Sequence, residues 1–181
     1  MTGYDPMLTS RANYYGGIAA DLSLSVVAII AGFALGDRVV FGLIAMLVGM
    51  VWYSLCEYGI HRWLYHTGAN IVVALHARHH ADPDLVYGPP FYYSLTIAFV
   101  HGALIGAVAG APLGLVFGGA MLFGYGQQSA IHHAAHRYPH VDVLGAHSGL
   151  RRHHAVHHRG GASNFGVSTT LWDRVFGTLS G

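Results

Sequence analysis

The stretch VVFGLIAMLVGMVWYSLCEYGIHRWLYH, Val39 to His66, decides how the rest of the chain is read. Its first part carries no charge until Glu57 and has about the ~20 residues a helix needs to cross a bilayer. Just past that apolar run stand two histidines, His61 and His66. The stretch therefore predicts a spanning helix that leaves lipid and enters a histidine-bearing turn. Three more apolar stretches follow the same pattern, at 18–35, 91–111 and 112–131. Gly36-Asp37-Arg38 joins the first two of the four, and Gly110-Ala111-Pro112 joins the last two. The expected fold is all-α and integral to a membrane. Four transmembrane helices, at about 18–35, 39–58, 91–111 and 112–131, form two hairpins beneath a cytosolic, His-rich helical cap. A single domain is expected over residues 1–181.

Bulk composition agrees. The chain is 53% hydrophobic and only 9% charged, with a mean hydropathy of +0.42; an ordinary soluble domain carries about 25% charged residues. A net charge of +1 excludes nucleic acid as a partner. All nine basic residues are arginine. If both hairpins enter from one side, Arg38 alone lies on the far side. The other eight arginines mark the near side as cytoplasmic, and the lysine-free composition suits a bacterial inner membrane. The N-terminal segment lacks a basic start, a short apolar core and a small-residue cleavage site, so no cleaved signal peptide is expected. Cys56, the one cysteine, reads as a small buried apolar residue.

Fifteen histidines are too many for chance scatter, and twelve fall in four bunches: HRWLYH (61–66), HARHH (76–80), HHAAH (132–136) and HHAVHH (153–158). Residues three or four apart share a helix face. That spacing groups His76 with His79 and His80, His132 with His136, and His154 with His157 and His158. His61 and His66 are five apart, which suits a helix only where it ends or widens. These ten are the candidate metal ligands, since neutral imidazole binds iron, zinc and copper. One ion cannot use ten ligands, but two can use nearly all. His133, His140, His147 and His153 are expected to be structural or supporting. Glu57, one turn before His61, either orients that ring or caps the membrane interface. His101, inside the third stretch, reads as a packing or interface residue. Gly102, Gly106 and Gly110 fall on one helix face, where they either admit a neighbouring backbone or reflect the abundance of glycine. The aromatics at 87–93 either line a mouth beside the site or form an interfacial belt.

Carboxylates are scarce, so the soluble carboxylate-bridged di-iron arrangement is absent. H-E-x-x-H and G-x-S-x-G are absent too, which excludes the common zinc hydrolases and α/β hydrolases. A pH switch would not need repeated three- and four-residue spacing. A metal transporter would place its ligands within the membrane, whereas here only His101 lies there. An imidazole-rich site beside apolar helices suits oxygen insertion into a lipid tail, which side chains alone cannot perform.

EYGIHRWLYH, HARHHADPDLVYGPPF, IHHAAH and HHAVHHRGGASNFGVSTTLWDRVFGTL together resemble the fatty acid hydroxylase (sterol desaturase) superfamily, most closely the fatty acid 2-hydroxylases. The similarity runs from about Glu57 to Leu179. It implies a membrane-bound, non-haem di-iron monooxygenase. Two iron ions, with zinc an alternative in purified material, would sit on His61, His66, His76, His79, His80, His132, His136, His154, His157 and His158. It implies O2 as co-substrate and hydroxylation of a fatty acyl chain at C2, free or within a sphingolipid. Many eukaryotic relatives carry a fused cytochrome b5 domain, and none is visible here. Electrons are therefore expected from a separate donor, cytochrome b5-like or ferredoxin-like. Carotenoid and sterol hydroxylases or desaturases share similar motifs and are the alternative substrate classes.

Overall fold

The computed structural model describes residues 6–138 and 146–181, the side chains of 146–148 aside. Seven α-helices are found among the described residues, and no strand: α1 Arg11–Leu35, α2 Val39–Gly59, α3 Ile71–Ala81, α4 Tyr92–Ala109, α5 Ala111–Arg137, α6 Ala146–Gly160 and α7 Leu171–Val175. A π-helix, Ile60–Tyr65, continues directly from α2. The chain divides into two compact units, Met1–Tyr53 with Val86–Gln127, and Ser54–Leu85 with Gln128–Gly181.

In the first unit the pattern of burial is inverted relative to a soluble bundle. α1 buries Gly17, Asp21, Ser25 and Gly32 and exposes Val26, Val27 and Ile30. α2 likewise exposes Val40, Phe41, Leu43, Ile44 and Leu47. Water would penalise such a surface, whereas lipid does not. Among the described residues, three helices are long and apolar enough to cross a membrane: Arg11–Leu35, Val39–Tyr65 (α2 with its π extension) and Tyr92–Ala109. With the exposed apolar surface, they make the chain an integral membrane protein. The fourth expected span falls in α5. That helix exists, but its apolar half is rich in weakly hydrophobic glycine and largely buried.

Small residues set the spacing of these helices. A Cβ on Gly102 would lie 2.8 Å from the Gly114 carbonyl, and one on Gly118 would lie 2.9 Å from the Ala98 carbonyl. A Cβ on Gly49 would lie 2.7 Å from the Phe117 carbonyl. Gly102 and Gly106 thus serve close α4–α5 packing rather than composition alone. Gly110 ends α4 with φ +100°, which L side chains rarely adopt. Tyr53, Phe117 and Met121 form the buried core, with Tyr125 edge-on to Tyr53 at 6.2 Å. Asp21, 1% exposed, accepts a hydrogen bond from Ser94 Oγ at 2.7 Å. His101 donates from Nδ1 to the Ile97 carbonyl and faces Trp52, a packing role as its position suggests.

The second unit holds α3, α6, α7, the π-helix and the ends of α2 and α5. Asn70 caps α3 by accepting from the Val72 and Val73 amides at 2.9 and 3.0 Å. After α6 the chain folds back through residues 161–170 into α7. Tyr58, wholly buried, bonds Thr178 Oγ1 at 2.9 Å, and Arg62 donates to the same phenol at 2.8 Å. Trp172 Nε1 donates to Ser54 Oγ at 3.0 Å.

Candidate metal centre

All ten histidines chosen by spacing lie in the second unit and fall into two groups of five. His61, His66, His76, His80 and His157 form the first; His79, His132, His136, His154 and His158 form the second. Within each group one ring nitrogen from every member lies within 4.8 Å of the others. The division follows from helix geometry. On α3, His76 and His80 are four apart and face the first group, while His79 turns to the second. On α6, His157 faces the first group, while His154 and His158, four apart, face the second. α5 supplies His132 and His136, again four apart. The two groups adjoin, since the His80 and His158 rings stack at 4.3 Å.

His61 and His66 reach one group because the helix between them is π rather than α. The wider turn brings residues five apart towards one face, and their ring centroids are 5.2 Å apart. This is the widening that their spacing requires.

Do these residues fit metal ions? In the first group, five Nε2 atoms crowd together. His61 to His76 is 3.1 Å, His76 to His66 3.0 Å, His66 to His157 3.2 Å, His157 to His80 3.1 Å and His80 to His76 3.0 Å. A neutral imidazole has one N–H. His61 and His157 donate theirs, from Nδ1, to the Phe165 and Ser163 carbonyls at 2.5 and 2.8 Å. Their Nε2 lone pairs therefore face other rings, an arrangement that a cation satisfies. With bonds of about 2.1 Å, ligands at right angles stand about 3.0 Å apart and tetrahedral ones about 3.4 Å apart. The observed edges suit an ion with more than four ligands. In the second group, His79 Nε2, His154 Nδ1 and both ring nitrogens of His158 are buried without a hydrogen-bond partner. Burying such atoms unpaired costs free energy, part of which a metal ion taking one nitrogen of each ring would offset. Both groups fit metal.

The electrostatics agree. Burial, then the neighbouring His136, pushes His79 down to about 3. Burial and His80 push His66 down to about 4. Burial holds His157 at about 4 against the opposing hydrogen bond to Ser163. The rings are thus neutral at pH 7, the form that binds metal.

Other residues take supporting places. His153 is buried, with Nε2 3.0 Å from Asp173 Oδ2. His133 lies near Tyr138; His140 and the His147 side chain fall outside the described residues. Among the described residues, no hydrogen bond joins Glu57 to His61. Its Oε1 accepts from the Val167 and Ser168 amides at 2.5 and 3.0 Å, and its Oε2 accepts from Ser168 Oγ. Asp173, Asn164 and the carbonyls of Ser163 and Phe165 were not legible as site residues. Their only signal was the closing SNFGVSTTLWDRVFGTL run, which displays no ligand spacing. Phe91, Tyr92 and Tyr93 are exposed, as interfacial aromatics are.

An all-helical membrane protein with paired five-histidine sites is the class that fold and site define. The family model described as fatty acid hydroxylase matches residues 46–178, and the chain belongs to that family. The dihydroceramide fatty acyl 2-hydroxylase FAH2 of Arabidopsis thaliana is 30% identical over 174 residues, covering 87% of this chain and 70% of that protein. The fatty acid 2-hydroxylase of Rattus norvegicus is 33% identical over 151 residues, covering 74% of this chain but 38% of the rat protein. The chain thus spans well under half the length of that relative. The solved structure of full-length scs7p, with only its hydroxylase domain visible, has a TM-score of 0.78 at 25% identity. It covers 97% of this chain and 69% of that one.

Proposed function

We propose that this chain is a membrane-bound, O2-dependent monooxygenase that hydroxylates a fatty acyl chain at C2, free or within a sphingolipid. The observation that carries this is the gathering of ten histidines into two adjoining groups of five. Relatives named fatty acid 2-hydroxylase and dihydroceramide fatty acyl 2-hydroxylase support the substrate class. The ten histidines are the ligands of two iron ions, with zinc a substitute in purified material. Iron held by imidazoles supplies the O2 chemistry that inserts oxygen into an unactivated C–H bond, which no side chain can do. One oxygen atom enters the C–H bond and the other leaves as water. The two electrons come from a separate cytochrome b5-like or ferredoxin-like donor, with two protons from solvent.

The chain's own residues bind, orient and exclude water. His61 and His157 each hold an N–H on a backbone carbonyl and turn a lone pair inward. His61, His79, His154 and His157 are buried, which keeps water from the ligand atoms. The helices α1, α2, α4 and α5 span the membrane as two hairpins, with the histidines on the cytoplasmic side of a bacterial inner membrane. Exposed apolar residues on α1 and α2 support bilayer insertion, and the arginine distribution supports the orientation.

Lipid mass spectrometry of cells with and without the protein tests this. The expected result is an acyl lipid heavier by one oxygen atom, placed at C2. No oxygenated acyl lipid, with iron and a reductant present, overturns the proposal; a changed carotenoid or sterol profile moves it to those substrates. His79→Ala and His157→Ala should each abolish the product, and full activity in either removes that residue from the ligand set.

A further inference from the structure

The two histidine groups differ in how the protein holds them. The first group receives two backbone carbonyls, from Phe165 and Ser163, on His61 and His157. In the second, His154 Nδ1 and His158 Nδ1 have no hydrogen-bond partner among the described residues. The source of this difference is the segment 163–168, which two buried carboxylates clamp.

Asp173, 0% exposed, accepts four hydrogen bonds. Oδ1 takes the Phe165 amide at 2.8 Å and Thr178 Oγ1 at 2.7 Å. Oδ2 takes the Gly166 amide at 2.9 Å and His153 Nε2 at 3.0 Å. The Gly166 N–H and the Phe165 C=O belong to one planar peptide unit. Asp173 therefore holds one edge of the plane whose other edge receives His61. A Cβ at Gly166 would lie 3.0 Å from Asp173 Oδ2 and collide with the Thr169 carbonyl, so this approach requires glycine. The next two amides, of Val167 and Ser168, are held by Glu57. Upstream, the Asn164 amide donates to the Thr178 carbonyl at 2.9 Å. That fixes the peptide whose Ser163 carbonyl receives His157. Asn164, at φ 57° and wholly buried, locks its own turn through His153 and Ser180.

We propose that Asp173, with Glu57, is a positioning residue for the first histidine group alone: the pair holds the 163–168 backbone that aims His61 and His157 at one metal ion. This rests on the metal-centre assignment above. Groups that orient a ligand imidazole commonly change metal affinity by roughly 10–100-fold. The effect here should fall on one of two ions.

The test is a Co2+ titration of the purified, metal-free full chain in detergent, followed by bound metal per chain and the optical spectrum of each equivalent. Wild type should take up two equivalents. Asp173→Asn, which turns an acceptor into a donor among N–H groups, should weaken one equivalent roughly 10–100-fold and leave the other unchanged. Glu57→Ala should weaken the same equivalent. Glu57→Gln should bind like wild type, because it keeps the amide acceptor and Ser168 Oγ–H can reorient. His79→Ala should weaken the other equivalent, which identifies the two. The retained equivalent also reports that each variant is folded. Equal weakening of both equivalents in Asp173→Asn, Glu57→Ala and the milder Ser168→Ala overturns the inference, as does full binding in the first two. A wild type that takes up no metal removes the metal centre itself, a failure distinct from variants that match a two-metal wild type.

Discussion

Ser94 donates to the Asp21 carboxylate over 2.7 Å, with both side chains buried among apolar helices. A carboxylate there has few alternatives to this hydroxyl, so its removal leaves a buried acceptor short of a donor. Ser94→Ala should lower stability by about 1–3 kcal/mol, read as a lower thermal midpoint in detergent with metal stoichiometry unchanged. Unaltered unfolding would mean that Asp21 finds another donor. Residues in the second unit show the same economy. His153 belongs to neither group of five, and it is buried with its Nε2 against Asp173. Its position beside His154 in sequence hides a different job, because successive helix residues point about 100° apart.

Among the elements, the π-helix Ile60–Tyr65 and the α4–α5 pair show geometry answering to sequence. The π-helix lets a five-residue spacing bring His61 and His66 into one histidine group. α6 shows the complementary device: His154, His157 and His158 face inward while Arg152 and Arg159, seven apart, are exposed. The α4–α5 contact depends on missing side chains. A Cβ at Gly118 would meet the Ala98 carbonyl at 2.9 Å and Gly102 Cα at 3.3 Å, both backbone atoms that cannot swing aside. Gly118→Val should therefore separate the helices at a cost of about 1–3 kcal/mol. The check is a lowered unfolding midpoint in detergent; an unchanged one would show that the pair tolerates a wider spacing.

At the scale of the whole molecule, the first unit carries most of the exposed apolar residues and the second carries the histidine groups, and acid should act on the second. His66 and His157 are pushed to about 4 and His79 to about 3, all below their usual 6.5. Between pH 6.5 and about 4 the unfolded chain binds protons that the folded rings refuse. Stability then rises with pH through that window and is lost on acidification. Protons also compete with metal for the same lone pairs. The metal-free protein should show a falling unfolding midpoint from pH 6.5 to 4, and the metal-loaded protein should release its ions over the same range. A flat profile would contradict the burial of these rings. Much of this was legible in the chain: the helices, three of the spans and the ten histidines follow from hydropathy and spacing, which are local properties of neighbouring residues. The partition of those histidines was not, since His79 and His80 are adjacent yet serve opposite groups. Nor were the contacts of Glu57, for which spacing pointed to His61 or the interface while its carboxylate meets Val167 and Ser168. By itself the sequence determined a helical membrane protein whose histidines sit at helix ends, because periodicity and apolar length act along one chain segment at a time. Only the tertiary structure decided which five rings meet, and which carboxylates hold the backbone behind them, because contacts such as His61 with Phe165 and Glu57 with Val167 join residues about a hundred positions apart.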